Sequence, residues 1–161
     1  MAQDIFLKLE GVNGESQDAD HKDEIELLSW SWGMHQSGAM HSGSGGGAGK
    51  ADVSDFEFHH RLDRASPNLM RMCLTGKHIA KACLTVRKSG GQALDYLKLT
   101  MEDVLVTRVE PSMSGSDAAQ GNERVCLSFA RVTQEYKVQN AQGGSGGAVS
   151  AGYDLKRNQE A

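Results

Sequence analysis

The chain is poor in aromatic residues, proline and cysteine, and it contains no long apolar run. Its 161 residues include two prolines and three cysteines, and only 6% are aromatic. No apolar stretch approaches the roughly 20 residues of a membrane-spanning helix, so we expect no membrane insertion. Lysine and arginine form no block and the net charge is −4, which makes nucleic acid an unfavourable partner. An odd number of cysteines without a CxxC pair favours buried thiols in a reducing compartment over a disulfide framework.

The remaining composition is that of a globular domain. Hydrophobic residues make up 39% and charged residues 24%, and this length can bury one core. We therefore expect a single domain over residues 1–161. The first residues, MAQDIFLKLEG, show neither the basic region nor the apolar region of a secretory signal.

One short helix is predicted in the segment 53–88. Ser66 can cap its start, Pro67 suits the first helical position, and Gly76 suits a left-handed end. Its predicted apolar face comprises Leu69, Met70, Cys73 and Leu74. A helix of this length is unstable alone and must lie on the strands that make up the rest of the chain.

Alternating apolar and polar residues predict strands throughout the rest of the chain. A change of apolar phase near Asp103 indicates two strands or a bend, and another at Ala130 indicates a bulge. Seven to nine strands with one helix predict a mainly β fold, a barrel or two-sheet sandwich with the helix packed outside. The predicted strands are residues 4–10, 24–33, 55–62, 80–87, 93–109, 123–138 and 153–156.

The strand over residues 24–33 has two unlike faces. Leu28, Trp30 and Trp32 share the side that we assign to the core, because each indole buries a large area. Ser29 and Ser31 lie on the opposite side. This small polar face suits a sheet that faces water or a water-filled passage.

No pattern in the sequence indicates catalysis, a metal or a cofactor. Adjacent residues of a strand point to opposite faces, so His59 and His60 cannot chelate one ion. The run SGSGGGAGK lacks the spacing and the hydroxyl of a phosphate-binding loop. The acidic residues at 18–24 lack calcium-loop spacing and read as a solvated loop. A binding or assembly protein is therefore favoured over an enzyme.

Motifs in order along nearly the whole chain resemble the haemolysin-coregulated protein (Hcp) family of bacterial type VI secretion. They are DIFLKLEGVNGES (Asp4–Ser16), DADHKDEIELLSWSWG (Asp18–Gly33), SPNLMRMCLTGKHIAKACLTVRKSGG (Ser66–Gly91), YLKLTMEDVLVTRV (Tyr96–Val109), LSFARVTQEY (Leu127–Tyr136) and the AGYDLKRN ending. Each motif alone is weak, but the ordered set is specific.

The resemblance implies a non-enzymatic tail-tube subunit without a cofactor. Family members form hexameric rings that stack into a tube, driven out by a contractile sheath and tipped by a spike protein. Small effector proteins ride in the pore. The protein itself is assembled in the bacterial cytoplasm and is found outside the cell, by a route independent of signal peptides.

Two sets of residues take roles from this resemblance. Ser29 and Ser31 are candidate lumen residues that contact effectors, and an ordinary surface serine is the equal alternative for Ser31. The glycine-rich segment 36–50 matches the loop that contacts the next ring, and a mobile hairpin tip is the plain alternative. Its candidate contact residues are Met40, His41, Ser42, Gly43, Ser44, Gly45 and Lys50.

A sugar- or lipid-binding β-sandwich is the second interpretation of the sequence. It requires a cleft lined by aromatic residues. Few aromatics are present, and Trp30 and Trp32 lie on a strand with core-like phase, so the tube subunit is the better interpretation.

Overall fold

The computed structural model describes residues 3–38, 50–88, 93–115, 121–142 and 144–161. Within these ranges the chain forms one helix and eleven strands, and no helix there is long and apolar enough to cross a membrane. The elements are β1 (Gln3–Leu9), β2 (Ile25–Glu26), β3 (Ser29–Ser31), β4 (Met34–His35), β5 (Asp52–Val53), β6 (Phe56–Arg61), α1 (Ser66–Thr75), β7 (Ile79–Lys88), β8 (Leu94–Ser112), β9 (Asn122–Gln139), β10 (Ser145–Asp154) and β11 (Gln159–Glu160).

Three long antiparallel strands, β7, β8 and β9, form the centre of the sheet. The main order is β11-β10-β9-β8-β7-β1-β2, while β4 and β5 form a separate pair. Strand β9 changes partner along its length: its first half pairs with β6, which in turn pairs with β3, and its second half pairs with β10. The mainly β fold with one short helix is confirmed.

The chain between β2 and β3 closes this sheet into a barrel. The amide of Leu27 donates to the carbonyl of Ile5 on β1 (2.9 Å), and the next amide, of Leu28, donates to His59 on β6 (2.7 Å). Successive peptides thus bond to β1 and β6, which lie on opposite sides of the central strands β7, β8 and β9. The expected core position of Leu28 is wrong for this reason: at the crossover its side chain turns outward and is 46% exposed, while Leu27 is buried.

The barrel interior is filled by aliphatic and aromatic side chains. Trp30 stacks on Phe56 and Trp32 meets Phe129 edge-on, with 5.9 Å between ring centroids in both pairs, which confirms the predicted direction of the two indoles. The largest fully buried side chains are Phe56, Phe58, Leu7, Ile25, Leu69, Leu84, Leu99, Met101, Leu127, His60, Val86 and Val104.

Helix α1 starts and packs differently from the prediction. Its cap position is Ala65, and no side chain caps it; the Ser66 hydroxyl instead accepts the amide of Asp63 (3.1 Å). Gly76 ends the helix in the left-handed conformation (φ 67°), as predicted.

The buried face of α1 is rotated from the predicted one. Leu69 and Met72 are buried and Cys73 is half-buried, whereas Met70 and Leu74 are 53% and 78% exposed. Contact with β8 buries the side of the helix that carries Leu69 and Met72.

Strand β8 is continuous through Asp103, where the sequence predicted two strands or a bend. Asp103 adopts a left-handed backbone (φ 56°) there, and its carboxylate binds Lys156 (2.9 Å) and His78 (2.8 Å). The bulge expected at Ala130 is wrong: the β8–β9 register is continuous there and shifts instead between Val106 and Arg108. Ala130 lies where the partner of β9 changes from β6 to β10. Apolar residues on both faces of β9 are therefore covered near this point.

The acidic segment 18–24 folds onto the outer face of β1 and β7. The His21 ring stacks on Phe6 with centroids 4.4 Å apart, and the Arg87 guanidinium lies 5.1 Å from the same ring. Arg87 is paired with Asp18 and with Asp4 (3.2 Å). The hydrogen bond from Arg87 lowers the pKa of Asp18 to about 2. Asp18 is therefore a structural ion-pair partner, not a solvated loop residue.

Gly14 allows this segment to approach β2. Its amide donates to Asp23, and a Cβ built on Gly14 would lie 2.6 Å from the carbonyl oxygen of Glu24. We expect Gly14→Ala to lower the free energy of unfolding by about 1–3 kcal/mol, because backbone atoms must move to accommodate it. Denaturant unfolding measures this. Gly33→Ala, where an added Cβ meets nothing within 4 Å, is the matched control, and equal effects at both sites would contradict the explanation.

Candidate functional site

The two candidate lumen serines lie on one continuous polar surface. Ser29 and Ser31 are exposed on β3, and cross-strand register places His59 and Glu57 of β6 beside them. Residues that pair across neighbouring strands lie on the same face of the sheet. His59 and Glu57 pair with Arg124 and Cys126 of β9, and these pair in turn with Glu110 and Arg108 of β8. The resulting polar sheet face comprises Ser29, Ser31, Glu57, His59, Arg108, Glu110, Arg124 and Cys126.

The charges on the polar sheet face neutralise one another. Glu57 binds Arg124 (2.6 Å) and His59 (3.2 Å) through different oxygens. Arg124 also binds Glu110 (3.1 Å), which a second arginine, Arg108, approaches at 3.4 Å. The hydrogen bond from Arg124 lowers the pKa of Glu57, and Glu57 raises that of Arg124. The face thus offers hydrogen-bonding groups with little net charge.

The polar sheet face holds no activated nucleophile. Cys126 is buried, and its sulfur lies 3.9 Å from Glu57. Burial raises the pKa of its thiol, so the reactive thiolate is disfavoured. Within the described ranges, no group of three or more histidine, cysteine or acidic side chains could hold a metal ion. His59 and His60 point to opposite faces, as predicted.

The sheet that carries this face has two open edges. On one side, β3 pairs only with β6 among the described strands. On the other, the β7 ladder stops at Val104, so no described strand pairs with the remainder of β8, residues 105–112, on the side away from β9. Unpaired backbone groups of this kind are sites for strand addition from another chain.

An apolar groove lies between the β4 segment and the β9–β10 hairpin. Met34 and Val149 are 57% and 67% exposed on it, and Tyr136 is 43% exposed. The volume is about 620 Å³. We call this the hairpin groove; its apolar lining is Trp32, Met34, Val132, Tyr136, Val149, Ala151 and Tyr153.

The candidate ring-stacking residues are mostly beyond the described part of the chain. Met40, His41, Ser42, Gly43, Ser44 and Gly45 lie outside it. Lys50 is exposed and borders an apolar pocket with Trp32 and Met34. The strand pair β4–β5 therefore positions both ends of the segment 36–50, whose role remains a prediction.

The charged residues of the polar sheet face were not identified from the sequence. Alternation along β6 could have placed Glu57 beside His59 on the outer face. Their partner Arg124 is 67 residues from Glu57, and this pairing exists only through strand register.

In the described part of the chain, fold and surface together give a β-barrel that carries a self-neutralised polar face and sheet edges without a described partner strand. Comparison with known proteins gives the family. The model for "Type VI secretion system effector, Hcp" matches residues 6–136, and the chain belongs to the Hcp family of type VI secretion. This is a family of structural, non-enzymatic proteins.

Similar proteins span the full chain. Protein hcp1 of Pseudomonas aeruginosa is 46% identical over 163 aligned residues, covering 100% of both chains. The crystal structure of Hcp1 from Salmonella typhimurium has a TM-score of 0.84 and 49% identity, with 100% of both chains covered. A type VI secretion system effector from Yersinia pestis has a TM-score of 0.77 and 39% identity, covering 94% of this chain and 99% of that one.

Proposed function

We propose that this chain is the subunit of the inner tube of a type VI secretion system. It forms hexameric rings that stack into a hollow tube and carry small effector proteins in the lumen. A spike protein caps the tube and a contractile sheath surrounds it. Assembly takes place in the bacterial cytoplasm, and export then follows without a signal peptide.

The open-edged sheet with a self-neutralised polar face is the observation that carries this proposal. A ring of identical subunits needs two different, complementary surfaces on each copy. In the order β3-β6-β9-β8, the outer edge of β3 and residues 105–112 of β8 lie at opposite ends, and neither pairs with another described strand on its outer side. Strand addition between them would join the polar faces of neighbouring copies into one wet inner wall.

The hairpin groove supports the same assembly. Large apolar side chains that lie together at the surface can mark an interaction site. A neighbouring subunit that covers Met34, Tyr136 and Val149 would remove it from water. Light scattering and electron microscopy of the purified chain test the ring directly: we expect hexamers, and a monomer at high concentration would contradict the proposal.

Effector contact at Ser31 gives a further expected outcome. Ser31→Gln places a longer side chain on the polar sheet face next to Glu57, its partner in register. We expect the effectors that co-purify with rings to fall by about tenfold, which corresponds to about 1.4 kcal/mol, while the rings stay intact. Mass spectrometry of the purified rings measures this. Thr75→Gln, at the exposed end of α1, is the control, and unchanged effector content in the Ser31 variant would remove the assignment.

A further inference from the structure

Arg124 occupies the centre of the polar sheet face. Its strand, β9, lies between β6 and β8, and the register places Arg124 opposite His59 on one side and Glu110 on the other. Its Nη2 donates to Glu57 (2.6 Å) and its Nη1 donates to Glu110 (3.1 Å). The Arg124 side chain is 40% exposed. One cation therefore neutralises carboxylates from two strands and stays within reach of a bound protein.

The balance of charge on the polar sheet face depends on this residue. With His59 neutral, the face carries the two carboxylates of Glu57 and Glu110 and the two guanidinium groups of Arg108 and Arg124. Arg108 approaches only Glu110, at 3.4 Å. Loss of the Arg124 charge would therefore leave two carboxylates against one guanidinium group, an excess of one negative charge in each subunit.

The charges that border the polar sheet face also balance. Arg61 continues the same side of β6, because residues two apart in a strand share a face. At the other end of β6, the carboxylate of Asp55 accepts a hydrogen bond from the Thr107 hydroxyl (2.6 Å). The border thus adds one cation and one anion, and the sum of charges stays at zero.

Assembly into a ring would multiply any imbalance on this face. In the proposed ring every charge of the face recurs in each subunit around one channel. A passage lined by charge of one sign focuses the electric field and attracts molecules of the opposite sign. Where the charges of the wall cancel, hydrogen bonds from groups such as Ser29 and Ser31 become the main contacts with a bound protein.

We propose that the polar sheet face binds effector proteins through hydrogen bonds irrespective of their net charge, and that Arg124 is the specificity-determining residue that maintains this property. The inference rests on the proposed tube and on its role as a carrier. It goes further because it names the kind of surface that the channel accepts, which is polar and of either net charge.

Arg124→Gln tests this assignment. Glutamine keeps hydrogen-bonding groups at the site but removes the charge. An exposed ion pair changes affinity by up to about fivefold, and a protein in the channel meets several subunits. We expect the ratio of basic to acidic proteins on the rings to rise at least tenfold. The excess of basic proteins should be released between about 0.05 M and about 0.5 M salt, because salt screens exposed charges.

Immobilised rings and the total soluble protein of the source bacterium serve as the assay. Bound proteins are identified by mass spectrometry and sorted by isoelectric point, at low and at high salt. The original chain should retain acidic and basic proteins alike, with little change between the two salt concentrations. Light scattering of each variant reports whether the rings are intact.

Arg131→Gln is the matched control. Arg131 is another arginine of β9, it is paired with Glu102 (3.4 Å), and it does not belong to the polar sheet face. This variant should bind the same proteins as the original chain. Arg124→Lys keeps the charge and should also do so. Glu57→Gln combined with Arg124→Gln returns the sum of charges to zero and should restore the original binding, which a merely structural role of Arg124 does not predict.

The possible outcomes separate this inference from the carrier role. Proteins of one charge sign only on the original rings, or their release by salt, would overturn charge-independent binding. An unchanged set of proteins on intact Arg124→Gln rings would overturn the role of Arg124, as would a failure of the double variant to restore the original binding. Original rings that retain no protein at either salt concentration would instead overturn the carrier role itself, and this inference with it.

Discussion

Val149→Asp is expected to convert hexameric rings into folded monomers. The Val149 side chain is 67% exposed on the isolated subunit, so a carboxylate there is hydrated and the fold should persist. In the ring this position would face the neighbouring copy. Burial of a charge without a partner costs several kcal/mol, and the cost recurs at each subunit interface. Light scattering after size-exclusion chromatography measures the change, and circular dichroism confirms the fold.

Ala148→Asp provides the control for this result. Ala148 is exposed on the same strand and points to the opposite face, because neighbouring residues of a strand alternate. It does not line the hairpin groove. We expect this variant to keep the mass of a hexamer. A Val149→Asp protein that remains hexameric would show that the hairpin groove is not a subunit interface.

His60→Leu is expected to destabilise the subunit by about 3–5 kcal/mol, because it leaves the buried carboxylate of Glu123 without its partner. His60 is fully buried, and its Nε2 lies 2.8 Å from Glu123. Denaturant unfolding at fixed protein concentration measures the effect. His59→Leu changes the neighbouring, part-exposed histidine on the other face and should cost much less; equal costs would contradict a special role for the buried pair.

The same ion pair makes stability depend on alkaline pH. Burial by itself lowers the pKa of His60, but Asp63 and Glu123 outweigh it and raise the pKa from 6.5 to about 9. At 3.7 Å, Asp63 acts mainly through its charge. The interaction of protonated His60 with these carboxylates stabilises the fold fully below pH 6.5. This contribution is lost as the pH rises through 9 and His60 loses its proton. Over that interval the free energy of unfolding should fall by up to about 3 kcal/mol, and His60→Leu should lack this component.

Local patterns of the sequence predicted several features correctly. Alternation along the predicted strand placed His59 and His60 on opposite faces, and Gly76 marked the end of the helix. These features depend on a few neighbouring residues, because side-chain period and backbone conformation are local properties.

The features that the sequence did not predict depend on distant contacts. Leu28 turns outward because two adjacent amides bond different strands, and the helix face depends on where β8 lies. The cluster of His21 and Arg87 on Phe6 brings together residues from three separate segments. The charge pairs of the polar sheet face likewise require strand register. Such contacts are fixed by tertiary packing, which a pattern in one strand does not encode.

The long antiparallel pair of β8 and β9 has a mechanical consequence. Their pairing extends from Leu97 with Tyr136 to Ser112 with Asn122. A pull directed along these strands shears many hydrogen bonds at once, so every bond shares the load. A pull at right angles would peel the bonds one by one from an end. The subunit is therefore most resistant to a force that acts parallel to β8 and β9.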